Sequence, residues 1–400
     1  MSDRRVQRLP VMRDLGPAES VATTRLAEVL SKTLKDAGFD SISTPILEEA
    51  ELFTRKGSLE LIGSLYTFSE PGGRHISLRP EFTSSIIRYV AENQDSLTMP
   101  ARFRYRGPVF RYYRGGNGTY RQHTQIGAEI VGSSGPEADV EIISVAVAGL
   151  KKAGIPDINV RIGHLGVLNA LLANFDLSPA ANRFVIRNLR ILRDDDTTDL
   201  LPDAIEAGLV RPNFEESDSD AQTDPTSLAT LLIETLGDTM AKPIGRRTTE
   251  EIIARLRRKS KETNDPAQFT KAVSFISQLI RCPSKPNELI DQARILCGNH
   301  KILDKPLEEI EALMSSLNKT DIASTNIRYD LGLARGVSYY TGLVFELTTP
   351  EIPDGAYLAG GGRYDGLIET LGGEDCAALG FAYDLDYVLP ASRFAAEKMV

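Results

Sequence analysis

The chain has 400 residues, 42% hydrophobic and 25% charged, long enough for one large domain plus a smaller one around a real core. Its 55 acidic against 46 basic residues give a formal net charge of -9, which argues against a protein whose main task is gripping a phosphate backbone. Cys282, Cys297 and Cys376 form no C-x-x-C pair, and His75, His123, His164 and His300 lie without metal-ligand spacing, so no disulfide framework, metal or cofactor is expected and a reducing cytoplasm fits.

The opening MSDRRVQRLP carries basic residues but no apolar run, and no stretch approaches the length of a bilayer span, so a soluble protein that is not exported is expected. From Glu19 to Ala37, Val21, Leu26, Val29, Leu30 and Leu34 recur at helical spacing and Gly38 follows as a stop signal, predicting an amphipathic helix. A short β-like stretch ends at Thr44-Pro45, and ILEEAELFTRKG, rich in Glu and Leu, is expected to be helical. Tyr66–Phe68 and HISLRP flank Glu70-Pro71-Gly72-Gly73 as a hairpin, and a helix is expected from Thr83 through Ala91. A second, longer hairpin pairs RFRYRGPVFRYY with YRQHTQIGAEIVG across RGGNG, residues 114–118, whose glycines suit positive φ. Helices are expected from Pro136 to Ala153, with Val140, Ile143, Val147 and Leu150 on one face, and from Leu165 to Ala173, with the strand Asn159–Ile162 between them.

The middle of the chain, DDDTTDLLPDAIEAG and then NFEESDSDAQTDPTS, is acidic and turn-rich, which predicts loops and short helices, with a charged helix from Thr248 to Lys261. Strand patterning resumes at Asn326–Tyr329 and Gly342–Leu347. Hairpins, a helical interruption and further strands predict an α+β fold: an antiparallel sheet flanked by helices, its core in residues 1–170 and 325–400, split by a mostly helical insertion at 171–324. No Gly-x-Gly-x-x-Gly after a first strand and no Walker A motif supports a Rossmann or P-loop site.

Three segments can carry chemistry. In LRPEFT, residues 78–83, Glu81 and Thr83 can face a pocket as carboxylate and hydroxyl, or Thr83 can simply start a helix. In the second hairpin Arg104, Arg106, Arg111, Arg114 and Arg121 crowd near Gln125 and Glu129. Strand spacing puts Arg121, Gln125 and Glu129 on one face, where they can hold a zwitterion or form a cross-strand charge ladder. Near the end, ARGVSYYTG combines Arg335 with Tyr339 and Tyr340, and AGGGRYDG carries three glycines that permit close backbone approach to a small ligand or make a flexible turn.

In this order the segments resemble histidyl-tRNA synthetase and its relatives among the class II aminoacyl-tRNA synthetases. TPILEEAELFTR resembles motif 1 and FRYYRGGNGTYRQHTQIGAEIVG motif 2; ARGVSYYTGLVFE and AGGGRYDGL resemble the two histidine-specific signatures; ALGFAYDLDYVL stands in the place of motif 3. The resemblance covers residues 10–170 and 325–390 and implies a class II synthetase catalytic-domain-like sheet that forms a homodimer. It also implies a histidine pocket made by Glu81, Phe82, Thr83, Arg111, Gln125, Glu129, Arg335, Tyr339 and Tyr340. Glu81 and Glu129 would receive the ligand ammonium, and Gln125 with the tyrosines would surround the rest. Phe82 replaces the glycine usual in the family's Arg-Pro-Glu-Gly-Thr.

The family's ATP chemistry further needs Phe-Arg-x-Glu in motif 2 and a late arginine in motif 3, where this chain has Tyr113 and Tyr387. A neutral phenol cannot offset phosphate charge as a guanidinium does, and one such loss costs about 100 to 1000-fold in rate, so adenylate formation is not expected and no catalytic residue is assigned. The chain ends 13 residues after Tyr387, so no anticodon-binding domain is expected and tRNA has no obvious reader. This pattern is similar to the regulatory-subunit family of ATP phosphoribosyltransferase, which partners the short catalytic form in the first step of histidine biosynthesis. That likeness implies a non-catalytic subunit assembled with the short-form catalytic subunit, commonly as a hetero-octamer, with L-histidine as feedback effector. The rival readings are a free-standing synthetase paralogue that activates an amino acid with ATP, and a pure interaction scaffold.

Overall fold

A computed structural model describes residues 6–112, 120–194, 199–211, 264–282, 285–297, 304–335, 339–353 and 355–394. Tyr113, the RGGNG turn and the helix expected at Thr248–Lys261 lie outside the described residues.

Helix α1 (Pro17–Asp36) starts on a proline whose fixed φ suits a first turn, and it buries Ala22, Leu26, Ala27, Leu30, Thr33 and Leu34 along one stripe. Gly38, at φ 86, turns the chain into β1 (Asp40–Ser41). Next come β2 (Leu47–Glu49) and α2 (Ala50–Thr54), where the sequence predicts a single helix. Glu48 and Glu49 pair with Ser77 and Ile76 across an antiparallel ladder, and that pairing overrides the helical preference of Leu and Glu up to Ala50. After α3 (Leu59–Gly63), the expected hairpin forms as β3 (Tyr66–Ser69) and β4 (His75–Leu78), its turn closed by Gly73 at φ 85. These strands make a three-stranded sheet of order β2-β4-β3, from which the chain enters α4 (Thr83–Asn93).

The long hairpin is β5 (Ala101–Phe110) and β6 (Gln122–Val131). There follow α5 (Pro136–Lys152), β7 (Asn159–His164), α6 (Leu165–Ala173), α7 (Pro179–Arg187), α8 (Leu189–Asp194), α9 (Leu201–Glu206), α10 (Pro266–Leu279), α11 (Pro286–Cys297) and α12 (Asp304–Leu317). The chain closes with β8 (Asn326–Tyr329), β9 (Leu343–Thr348), β10 (Ala359–Arg363), α13 (Leu367–Thr370), β11 (Ala378–Asp384) and α14 (Leu385–Ala391).

Two compact units result. The first joins the residues up to Ala170 to those from Leu279 onward and holds an eight-stranded sheet of order β1-β5-β6-β11-β10-β9-β7-β8. All its pairs are antiparallel except the edge pairs β1·β5 and β7·β8. Helices α1, α5 and α14 pack against the sheet, and α12 packs on α5. The second unit, Leu171–Gln278, is mainly helical where described, with a β-bridge between Val210 and Asn264. Its core gathers Phe184, Val185, Phe269, Ala272 and Ile276, and Asn264 ties it together by donating to Leu209 O at 2.6 Å and accepting from Ser178 N–H at 2.6 Å. Among the described residues no helix is long and apolar enough to cross a membrane.

The glycine triplet lies inside β10, not in a turn. A Cβ on Gly361 would overlap Gly380 O of the neighbouring strand, so this close strand approach depends on the missing side chain. Arg363 closes the same strand: its Nε and Nη2 donate to Asp139 Oδ1 at 3.0 and 2.7 Å, and Nη1 donates to Ser133 O at 3.1 Å. Arg363 and Asp139 are both largely enclosed. Arg363→Ala strands the carboxylate, and the expected loss is about 3 kcal/mol of folding free energy by urea denaturation. A change within error would show that solvent already reaches the pair.

Candidate functional site

In an antiparallel sheet, directly opposed residues project from the same face. On β6, Glu129 stands opposite Phe103 and Gly380, Gly127 opposite Tyr105 and Ala382, and Gln125 opposite Gly107 and Asp384. The face is thus lined with glycine and alanine beside a few functional side chains, and the space above it is available to long residues. Glu129 is completely buried at its centre.

Three hydroxyls converge on that carboxylate. Thr83, the first residue of α4, donates to Glu129 Oε1 at 2.8 Å, Tyr105 donates to the same oxygen at 3.2 Å, and Tyr364 donates to Oε2. Burial pushes the Glu129 carboxyl up to about 8, although the hydroxyls work in the opposite direction. At neutral pH it is therefore mostly a protonated acid that a cationic or hydrogen-bond-donating ligand can ionise. Burial likewise holds the Tyr105, Tyr339 and Tyr364 phenols well above the ordinary value, so they act only as neutral donors. Tyr339, Tyr340 and Tyr364 form one aromatic wall, with ring centroids 5.1 to 6.4 Å apart.

Glu81 has a double task. Its two oxygens accept the Ser84 N–H at 3.1 and 3.2 Å, capping α4, and burial raises its pKa. Thr83, read from sequence as pocket hydroxyl or helix start, begins the helix and reaches Glu129 as well. Arg111 donates from Nε to Pro80 O at 2.9 Å, which fixes it beside the Glu81 segment. Arg335 stands above Gly360, where a Cβ would collide with Nη1; its guanidinium lies 4.2 Å from the Tyr357 ring centroid and 3.6 Å from Glu346. Phe82 is enclosed between Arg79 and Tyr105. Gln125 shares the face of Glu129, whereas Arg121 precedes β6 and lies over the Tyr112 ring at 4.2 Å.

Further along the same face, His123 and Asp384 are both buried, with Nε2 and Oδ2 3.9 Å apart. Burial, with the Arg111 charge nearby, lowers His123 to about 3, so the ring is neutral; burial and the Asp386 carboxylate push Asp384 up to about 7. Asp384 also caps α14 by accepting the Asp386 N–H at 3.0 Å. Asp386 in turn accepts from Arg13 Nη2 at 2.6 Å. Among the described residues no group of three or more His, Cys, Asp or Glu side chains is arranged to hold a metal ion.

A family model described as histidyl-tRNA synthetase matches residues 11–203 and 233–388. The chain belongs to the histidyl-tRNA synthetase family. The histidine–tRNA ligase of Methanocaldococcus jannaschii is 30% identical over 385 residues, covering 94% of this chain and 73% of that protein. The histidine–tRNA ligase of Pyrococcus furiosus is 28% identical over 385 residues, covering 96% and 74%. Among solved structures, a Bacillus halodurans protein described as an ATP phosphoribosyltransferase regulatory subunit/histidyl-tRNA synthetase superposes with a TM-score of 0.68 at 24% identity, covering 98% of this chain and 84% of that one. A histidine–tRNA ligase subunit from Alicyclobacillus acidocaldarius gives 0.62 at 23% identity, covering 98% of both chains. The fold is that of a class II aminoacyl-tRNA synthetase, a large, mainly antiparallel sheet flanked by helices.

Within this family frame, the motif 2 segment supplies β6 and the motif 3 segment supplies β11 with α14, so the two pair directly. Tyr387 lies on the first turns of α14, immediately after Asp384 and Asp386. Sequence reading missed Tyr105 and Tyr364 as site residues. Tyr105 carried one usable signal, the alternation along β5; Tyr364 lay within the AGGGRYDGL signature without being singled out.

Proposed function

We propose that this chain is a non-catalytic, histidine-binding regulatory subunit of ATP phosphoribosyltransferase, acting in the first step of histidine biosynthesis and carrying feedback by bound L-histidine. The observation that carries the reading is a contrast along one sheet face. Thr83, Tyr339 and Tyr340 stand with Glu81 around the buried Glu129 carboxylate, while the motif 3 helix presents Tyr387, beside Asp384 and Asp386, where the family places an arginine. The first cluster suits an amino acid with N–H donors; Tyr387 gives polyphosphate a neutral phenol in place of a guanidinium. The nine pocket residues Glu81, Phe82, Thr83, Arg111, Gln125, Glu129, Arg335, Tyr339 and Tyr340 are proposed as the histidine site.

The partner in this reading is a short-form catalytic subunit, in a cytoplasmic hetero-octamer whose regulatory subunits pair through the synthetase-like core. That core would be residues 1–170 and 325–400, with 171–324 as a helical insertion. The name of the Bacillus halodurans structure agrees with a regulatory role. A second reading, a synthetase paralogue that activates an amino acid, is favoured by the histidine–tRNA ligase relatives and by Arg111 and Arg335 in the pocket.

One preparation separates them. The purified chain is expected to bind histidine calorimetrically, to raise the turnover of a short-form ATP phosphoribosyltransferase when mixed with it, and to make that turnover sensitive to histidine. It is expected to show no histidine-dependent exchange of pyrophosphate into ATP. Exchange above a no-protein blank would overturn the regulatory reading in favour of the enzyme.

A further inference from the structure

Phe82 is 1% exposed although it sits between two residues of the pocket, Glu81 and Thr83. One face of its ring lies on Tyr105, with centroids 4.4 Å apart and planes 20° from parallel. The other face carries the Arg79 guanidinium, 3.9 Å from the ring centroid. Arg79 is itself fixed by backbone carbonyls, donating from Nε to Pro108 O at 2.9 Å and from Nη1 to Thr44 O at 2.9 Å.

The stack rests on a glycine floor. A Cβ on Gly107 would come within 2.9 Å of Phe82 Cζ, and one on Gly127 would collide with the Tyr105 hydroxyl. Tyr105 is thereby laid flat across β6, and its hydroxyl reaches Glu129 Oε1 at 3.2 Å and Phe381 O at 3.3 Å. The sheet supports the phenol from below; Phe82 is the ring stacked against it.

We propose that Phe82 is a positioning residue for histidine recognition: clamped by Arg79, it holds Tyr105 so that the phenol hydroxyl stays aimed at Glu129, which receives the ligand's N–H. This rests on the histidine-binding reading of the pocket. Phe82 contributes to the site through Tyr105 and shapes how readily Glu129 becomes a carboxylate.

The groups facing Glu129 are Glu81 just before α4, Thr83 at the start of α4, Tyr105 from β5, Tyr339 and Tyr340 from the segment before β9, and Tyr364 after β10. Thr83 and Tyr364 reach Glu129 by routes that do not involve Phe82, so loss of the clamp removes one donor of three. A hydrogen bond to a charged acceptor is strong enough that its loss should move the Glu129 titration upward by about 1 pH unit.

The test is histidine titration calorimetry across about pH 6 to about pH 9, which brackets the Glu129 value of about 8. The unaltered chain, Phe82→Leu, Tyr105→Phe and the double variant are compared, with Phe53→Leu as a control for loss of an enclosed ring elsewhere. Both single variants are expected to shift the pH midpoint of affinity upward by about 1 unit, the double variant no further, and Phe53→Leu not at all. Phe82→Met, longer and more adaptable than leucine, carries the comparison if the leucine variant fails to fold. An unshifted midpoint in the Phe82 variant, or additive shifts in the double, overturns this inference alone. No histidine binding by the unaltered chain overturns the pocket reading and the inference with it.

Discussion

Glu129→Gln is expected to weaken histidine binding by about 100-fold in calorimetric titration at pH 8, the scale of losing a charge-assisted hydrogen bond in a buried site. The residue is fully buried and receives hydroxyls from Thr83, Tyr105 and Tyr364, so glutamine leaves the packing nearly intact while removing the carboxylate. The pH dependence separates this role from simple filling of space. Burial raises the carboxyl from 4.5 to about 8 in the folded chain. Between those values the folded state holds a proton that the unfolded state has released, so the Glu129 contribution to stability is full below the unfolded value and is lost as pH rises toward 8. Histidine affinity runs the other way, because a donating ligand favours the ionised form and must displace the proton at lower pH. Asp384, raised from 3.8 to about 7, adds a stability slope of the same sign that the variant retains. Urea denaturation across this window should therefore show a shallower fall with pH in Glu129→Gln than in the unaltered chain. Equal slopes, or unchanged affinity, would show that Glu129 is a structural acid outside the ligand's reach.

Local patterning reveals those elements that need only their own residues. Helix α6 spans Leu165–Ala173 and strand β8 Asn326–Tyr329, as their patterning predicts, the first hairpin follows from its strands and Gly73, and the strands of the second pair as their alternation predicts. β2 is hidden because Leu47–Glu49 favours a helix until β4 pairs with it. β10 is hidden because glycines are poor strand formers; the neighbouring strands and Arg335, Tyr340 and Phe381 occupy the volume their side chains would need. The site divides in the same way. Glu81 and Thr83 are singled out by the LRPEFT motif, and Gln125 and Glu129 by the spacing along the second hairpin. Tyr364 is not, since its meeting with Glu129 is made across β11, and no spacing within AGGGRYDG encodes that crossing. His123, which the sequence gives no reason to single out, acquires its neutral state only from burial and from Arg111.

Gly380→Ala is expected to cost about 3 kcal/mol of stability and to abolish histidine binding, an effect near the upper end of overpacking penalties. Gly380 faces Glu129 from the next strand, and an added Cβ would overlap Glu129 Oε2 and stand 2.7 Å from Ala128 O. Neither neighbour can yield cheaply: the carboxylate is held by Tyr364 on one oxygen and by Thr83 and Tyr105 on the other, and Ala128 O belongs to the sheet ladder. Gly380 does not have a positive φ, so alanine meets no backbone strain there and the whole cost is steric. Gly360→Ala makes the instructive comparison. Its Cβ would collide with Arg335 Nη1, the far end of a long side chain whose Nε and Nη1 have no hydrogen-bond partner among the described residues. Moving that guanidinium gives up its 3.6 Å approach to Glu346 and its place over the Tyr357 ring but no backbone, so Gly360→Ala should lose less than about 1.5 kcal/mol in urea denaturation while weakening histidine through a displaced Arg335. Stability losses of equal size in the two variants would show that the Glu129 cluster relaxes as freely as an arginine side chain, and the rigid cradle on which the histidine reading depends would not exist.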